Sequence, residues 1–173
     1  MADAPQHDPH APHTPFSGRA LRGALGRFGT GVTIVTCLDA AGRRVGLTAN
    51  SFNALSLSPP MVLWSLRLAS PSLPAFRAAG HFAINVLAEA QVHLSRRFAS
   101  PVADKFAEGQ WTSGEGGAPV LDGSAAVFEC QAEAQHDHGD HVLFIGRVVR
   151  IAEHALPPLL FHGGHYRKLG EGV

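Results

Sequence analysis

Charge is scarce in this sequence, and what there is cancels: 14 Lys and Arg stand against 14 Asp and Glu in 173 residues. No basic surplus is available to capture a nucleic-acid backbone or an anionic membrane, so partners must be sought in a pocket. Cysteine is scarcer still. Cys37 and Cys130 each sit inside an apolar stretch and read as reduced, buried thiols without a functional role. No apolar run is long enough to span a bilayer, and the N-terminal MADAPQHDPHAPHTPF lacks the basic region and apolar core of a secretory signal, which points to the cytoplasm. The usual nucleotide fingerprints are missing as well. GRFGTG, Gly26 to Gly31, has neither the spacing nor the strand-to-helix order of a dinucleotide turn, and there is no Walker A or hydrolase motif.

What is there suits one globular domain, because a 45% hydrophobic chain of this length can bury a real core. Residues 1–15 hold four prolines and three histidines and are expected to form a disordered leader, with the domain running from 16 to 173. Phe16 to Phe28 has helical spacing weakened by glycines. The β-branched Val32 to Leu38 predicts a buried strand, followed by a hairpin loop at Asp39 to Gly42 and a return strand RVGLTANSF. Further strands are expected at Met61 to Leu68, entered through two prolines, and at His81 to Leu87. Short helices are expected at Ser70 to Gly80, capped and closed by its glycine, and at Ala88 to Ala99. Residues 100–120 read as a long irregular excursion.

After that excursion the sequence alternates. Ala126, Phe128, Cys130, Ala132 and Ala134 define one strand face, and Glu129, Gln131, Glu133 and Gln135 the other. His141 to His154 is the expected partner strand, and PLLFHGGHYRKL a final short one. Seven or so strands without regular β-α-β alternation argue a mainly β fold, a barrel with a few short helices.

Three segments carry chemistry. GLTANSFNALSLSPP, Gly46 to Pro60, interleaves Thr48, Asn50, Ser51, Asn53 and Ser56 with apolar residues. Such short polar groups can bond a flat heteroaromatic edge or a phosphate, or merely cap their own backbone. HDHGDH, His136 to His141, offers metal-ligand residue types, but they splay along a turn and no second cluster completes a site. His136 to His138 are expected to be solvated turn residues, with Gly139 and Asp140 shaping the turn. His141, where the turn meets the apolar strand, is the functional candidate. FHGGHYRKLG, Phe161 to Gly170, sets paired glycines before a flat Tyr166 and a cationic Arg167, which suits either a ligand or a plain C-terminal turn.

Taken in order, RFGTGVTIVTC, GLTANSFNALSLSPPMVLWSL, GHFAINVLAEAQ, APVLDGSAAVFEC, GDHVLFIGRV and GGHYRKLG resemble the flavin reductase-like family, the small reductase components of two-component flavin-dependent monooxygenases. The resemblance runs from about Phe16 to Leu169. It implies a Greek-key split β-barrel of FMN-binding type, a homodimer with flavin sites at the subunit interface, and reduction of FMN or FAD by NADH or NADPH for a separate oxygenase partner.

Within the Thr48 to Leu57 segment, Thr48, Ala49, Asn50, Ser51, Ser56 and Leu57 are implied along the isoalloxazine and ribityl chain. Phe82, Ala83 and Asn85 are implied as contacts from the FAINVL strand. Arg96 or Arg97, together with Lys105, is implied at the phosphate, His141 near the nicotinamide and flavin, and Tyr166 and Arg167 at the site. Asn53 and Ser58 depart from the hydroxyl and acidic residues common there. The chemistry fits, since hydride transfer between two flat rings needs orientation and dryness and no protein nucleophile. Two rivals remain: a non-catalytic flavin-binding barrel, and a metal-dependent enzyme using His136 to His141.

Overall fold

The structure is a computed structural model that describes residues 15–172. The expectation of a disordered leader falls, but for residue 15, outside that range. Chain order is α1 (Gly18–Leu25), β1 (Thr30–Gly31), β2 (Thr33–Leu38), β3 (Arg44–Ala49), β4 (Asn53–Leu57), β5 (Pro60–Arg67), α2 (Leu73–Ala78), β6 (His81–Val86) and α3 (Val92–Ala99). There follow β7 (Trp111–Ser113), β8 (Pro119–Leu121), β9 (Ala126–His138), β10 (His141–Glu153), β11 (Leu160–His162) and β12 (His165–Arg167).

Seven strands form one antiparallel sheet in the order β3-β2-β6-β9-β10-β5-β4. Its two end strands are consecutive in sequence, joined by Asn50, Ser51 and Phe52 alone. Laid flat, six inter-strand gaps of about 4.8 Å would hold them roughly 29 Å apart, whereas the four residue steps from Ala49 to Asn53 span at most about 14 Å. The sheet must therefore curl until its end strands approach each other without pairing, a barrel-like sheet left open between β3 and β4. Ser51 closes the seam: its hydroxyl donates to the Ser65 carbonyl and accepts from the Ser65 N–H, both at 3.0 Å.

Two cores fill the fold. In the first, Trp64 stacks on Phe144 with centroids 4.7 Å apart and meets Phe76 edge-on at 4.9 Å, geometry worth about 1 kcal/mol per pair beyond burial. The second lies beneath α3, where Phe98, Phe106 and Trp111 form a triangle with centroids 4.9–5.3 Å apart. This triangle sets the height of α3 above β3. A Cβ on Gly46 would come within 2.7 Å of the Phe98 ring, so only glycine admits the helix that closely.

Several expectations need correction. The return strand ends at Ala49, short of Phe52, and Asn53–Leu57 is a strand of its own, paired with β5. The 100–120 excursion contains the β7–β8 hairpin and two 3₁₀ turns. It is ordered because Asn85, buried in β6, receives the Leu121 N–H at 2.8 Å and donates to the Ile34 carbonyl at 3.0 Å. Helix α2 starts at Leu73 without a side-chain cap and ends on extended Ala79 before Gly80 is reached. The final strand is a hairpin, β11–β12, turning at Gly163 and Gly164.

The face assignment of β9 holds only in part. Val127, Glu129 and Cys130 are all buried, because the first half of the strand is covered on both sides. Glu129 is tolerated there because its carboxylate accepts the Glu115 N–H at 2.6 Å. The β9–β10 turn is also tighter than expected. His136 to His138 belong to β9, and His138 pairs directly with His141 across Gly139 and Asp140, with Gly139 at φ 58°.

Candidate functional site

The outer edge of β3, the C-terminal half of α3 and the β11–β12 hairpin converge on one groove. Two cavities share Thr48 and Ala99 as a common wall. The smaller, about 190 Å³, is walled by Thr48, Ala49 and Asn50 on one side and by Phe161 and Tyr166 on the other. The larger, about 460 Å³, extends past Leu66 and Arg67 to Ser70, Ser72, Ser100 and Lys105. Its lining contains two cations and several hydroxyls, and no carboxylate.

Helix α3 holds both walls. Ser95, fully buried, accepts the Thr48 hydroxyl on its main-chain carbonyl at 2.6 Å, and its own hydroxyl lies 2.9 Å from the Tyr166 phenol oxygen. Arg96 sits over the Tyr166 ring at 5.6 Å, and Phe161 meets that ring edge-on at 5.5 Å. The phenol is thus fixed by a hydrogen bond, a cation and an aromatic edge. Lys105 closes the helix end by donating to the Phe98 carbonyl at 2.8 Å, and partial burial holds its ammonium below the usual lysine range.

Of the residues singled out from sequence, Thr48, Ala49, Asn50, Lys105 and Tyr166 line this groove. Ser51 borders it with its hydroxyl committed to Ser65. Ser56 and Leu57 lie on β4, Leu57 almost wholly exposed, and neither lines the groove. Phe82, Ala83 and Asn85 lie elsewhere: all three are buried in β6, a central strand, and Asn85 spends its amide on the β8 anchor. Arg97 is likewise committed, since its guanidinium bonds the Lys105 and Asp104 carbonyls and the Glu108 carboxylate. Arg167 is exposed on β12.

His141 opens β10 directly across from Arg67 of β5, one cross-strand step from the groove lining. Its Nδ1 is 2.7 Å from the Asp140 carboxylate, and this bond holds Asp140 below the usual carboxylate range. The rest of HDHGDH separates from it. Asp137 is tied to Arg77 at 2.8 Å, and the His136 and His138 rings stand 6.3 Å apart on the exposed face. Among the described residues no group of three or more His, Cys, Asp or Glu gathers as a metal site.

Sequence reading missed Arg67, Ser70, Ser72, Ser95 and Ser100. Arg67 is the last residue of an apolar strand and Ser95 lies mid-helix, so neither carries a local signal. Only the curl of the sheet brings them to Thr48.

The donor set fits a flat heterocycle bearing a phosphate. Hydroxyl groups stand at one end with aromatic rings beside them, and the lining at the other end carries two cations.

Comparison with known proteins agrees with that chemistry. The sequence profile of the flavin reductase like domain matches residues 25–170. A probable flavin reductase of Rhizobium meliloti is 47% identical over 86% of this chain, which spans 48% of that relative's length. The FMN reductase (NADH) SmoA of Agrobacterium fabrum is 45% identical over 86% of this chain and 84% of its own. Among solved structures, the Streptomyces globisporus NADH:FAD oxidoreductase SgcE6, in complex with NAD and FAD fragments, superposes with a TM-score of 0.84. It is 36% identical and covers 88% of this chain and 93% of its own.

Proposed function

Because the chain belongs to the flavin reductase like domain family, we propose that it is an oxidoreductase that passes hydride from NADH or NADPH to FMN or FAD and releases reduced flavin to a separate monooxygenase component. The observation that carries this reading is the groove itself: a Thr48–Asn50 wall facing Phe161 and Tyr166, continuous with a pole lined by Arg67 and Lys105. When bound, the flavin supplies the two-electron acceptor.

The chain's own residues bind, orient and exclude water. Thr48, Ala49 and Asn50 would hold the polar edge of the ring. Phe161 and Tyr166 cover its side and keep water from it. Arg67 and Lys105 neutralise the phosphate, helped by the hydroxyls of Ser70, Ser72 and Ser100. His141, beside Arg67 and oriented by Asp140, positions the nicotinamide. None of these roles needs a protein nucleophile, which agrees with a groove lined by hydroxyls, aromatics and cations.

A homodimer accords with the apolar surface this chain leaves open. Helix α1 buries none of its residues, and Leu25, Phe28, Leu57 and Ile151 are all more than 60% exposed.

The test is spectrophotometric. NADH and NADPH oxidation is followed with FMN, FAD or riboflavin added, with and without chelator. Oxidation that depends on added flavin and ignores chelator is expected. Flavin binding without oxidation would instead indicate a non-catalytic flavin-binding barrel, and loss of activity with chelator a metal enzyme. In the same assay His141→Ala is expected to lower turnover while the protein still melts cooperatively.

A further inference from the structure

The ring end of the groove is smaller than its proposed guest. Its cavity of about 190 Å³ falls below the roughly 300 Å³ at which ligand sites begin, so one wall must give before a three-ring heterocycle enters. The two walls differ in how they are held. Thr48 and Ala49 end a strand of the seven-stranded sheet, with the Thr48 hydroxyl on the Ser95 carbonyl and the adjoining Ser51 locked to Ser65. That wall is fixed.

The opposite wall is held more lightly. Phe161 and Tyr166 stand on the β11–β12 hairpin, in a separate three-stranded sheet whose remaining member, β1, is two residues long. Strand β12 is an edge of that sheet and pairs with β11 alone, so among the described residues only side chains tie it to α3 and to the turn before α3. Two of those contacts fall on Tyr166, from Ser95 and Arg96. A third lies just past the strand, where Lys168 pairs with Glu89 of the 3₁₀ turn Glu89–Gln91.

Glu89 is the anchored half of that pair. Its N–H donates to the Pro157 carbonyl at 2.8 Å, and its side chain is 26% exposed against 76% for Lys168. Neither has another ion-pair partner among the described residues. The ammonium, carried by the hairpin, is the half that can swing.

We propose that Glu89 and Lys168 are positioning residues for flavin entry: their ion pair latches β12 against α3, and its release lets the Phe161 and Tyr166 wall move aside for the ring. The proposal rests on the flavin-reducing reading above. Neither residue lines the groove, so the pair is made alike with and without flavin. A contact common to both states leaves affinity unchanged and alters only how often the wall opens.

Rapid-mixing measurement of FMN binding to the full chain tests the latch. Glu89→Gln and Lys168→Met are each expected to raise the association and dissociation rate constants together, by about threefold, with Kd unchanged, which is the worth of one exposed ion pair. Lys168→Arg keeps the pair and should behave as the native protein. Steering of the FMN anion is separated from the latch, because the two substitutions change net charge in opposite directions and would shift association oppositely. A second readout needs no flavin: the single tyrosine, labelled at ¹³Cζ, should move in both variants toward the shift of a solvated phenol. Opposite shifts in association, faster dissociation alone, Lys168→Arg behaving like Lys168→Met, or a tyrosine resonance unmoved by either variant would each overturn the proposal. Failure of the native protein to bind FMN would strike the parent reading, and the tyrosine resonance would then decide the latch by itself.

Discussion

Ser95→Ala isolates one joint of the groove. The substitution removes the hydroxyl that lies 2.9 Å from the Tyr166 phenol and leaves the Thr48 bond intact, because Thr48 is held by the Ser95 main chain. One net hydrogen bond is worth about 1 kcal/mol, which is about fivefold in affinity. We expect the KM for flavin to rise by about that factor with kcat little changed, and the melting temperature to fall by about 2–4 °C. Tyr166→Phe removes the same bond from the other side, so the double variant should be no worse than either single one, a coupling of about 1 kcal/mol. Tyr166 is the chain's single tyrosine, so a ¹³Cζ-tyrosine label gives one resonance whose shift reports the phenol's partner directly. Additive losses in the double variant, or a tyrosine resonance unmoved by Ser95→Ala, would refute the claim that Ser95 acts through Tyr166.

Three further outcomes are expected. Asn85→Ala should cost about 2–4 kcal/mol in denaturant unfolding, because it strands the buried Leu121 N–H and leaves a cavity, yet it should leave the flavin KM of the folded fraction unchanged. Lys105 holds its proton less tightly folded than unfolded, so the unfolded chain binds more protons in the window below 10.5. Stability should therefore rise with pH there, and Lys105→Met should flatten that slope. Cys37 and Cys130, pushed up to about 12 by burial, should resist alkylation in the native protein and react only as fast as it unfolds.

The strands around the groove were legible because their local pattern and their tertiary fate agree. Val32 to Leu38 is β-branched and lies between two other strands, so composition and burial point the same way. Thr48 to Asn50 stands out as a polar run at the end of a strand, and the structure sets it in the groove wall. Asn85 reads two ways for a physical reason: an amide in an apolar strand suggests a ligand contact, and here it bonds a distant loop that sequence spacing cannot reveal. Arg97 and Lys105 looked alike as phosphate partners. Only the fold of residues 104–108 distinguishes them, by turning the guanidinium onto that segment and setting Lys105, bonded to the Phe98 carbonyl, in the groove lining. The β7–β8 hairpin was hidden because its strands are three residues each, too short for alternation to register.

The seam between β3 and β4 has a consequence for how such a protein varies. A strand with a bare edge is usually a hazard, since its unpaired amides invite another chain. Here β3 ends the sheet beside the groove, so in the proposed reading a small molecule, and not another strand, stands against that edge. Recognition through the main chain makes few demands on side-chain identity. Substitutions along the segment can then retune the fit of a ligand while the vacancy that admits it is preserved by the connectivity of the barrel.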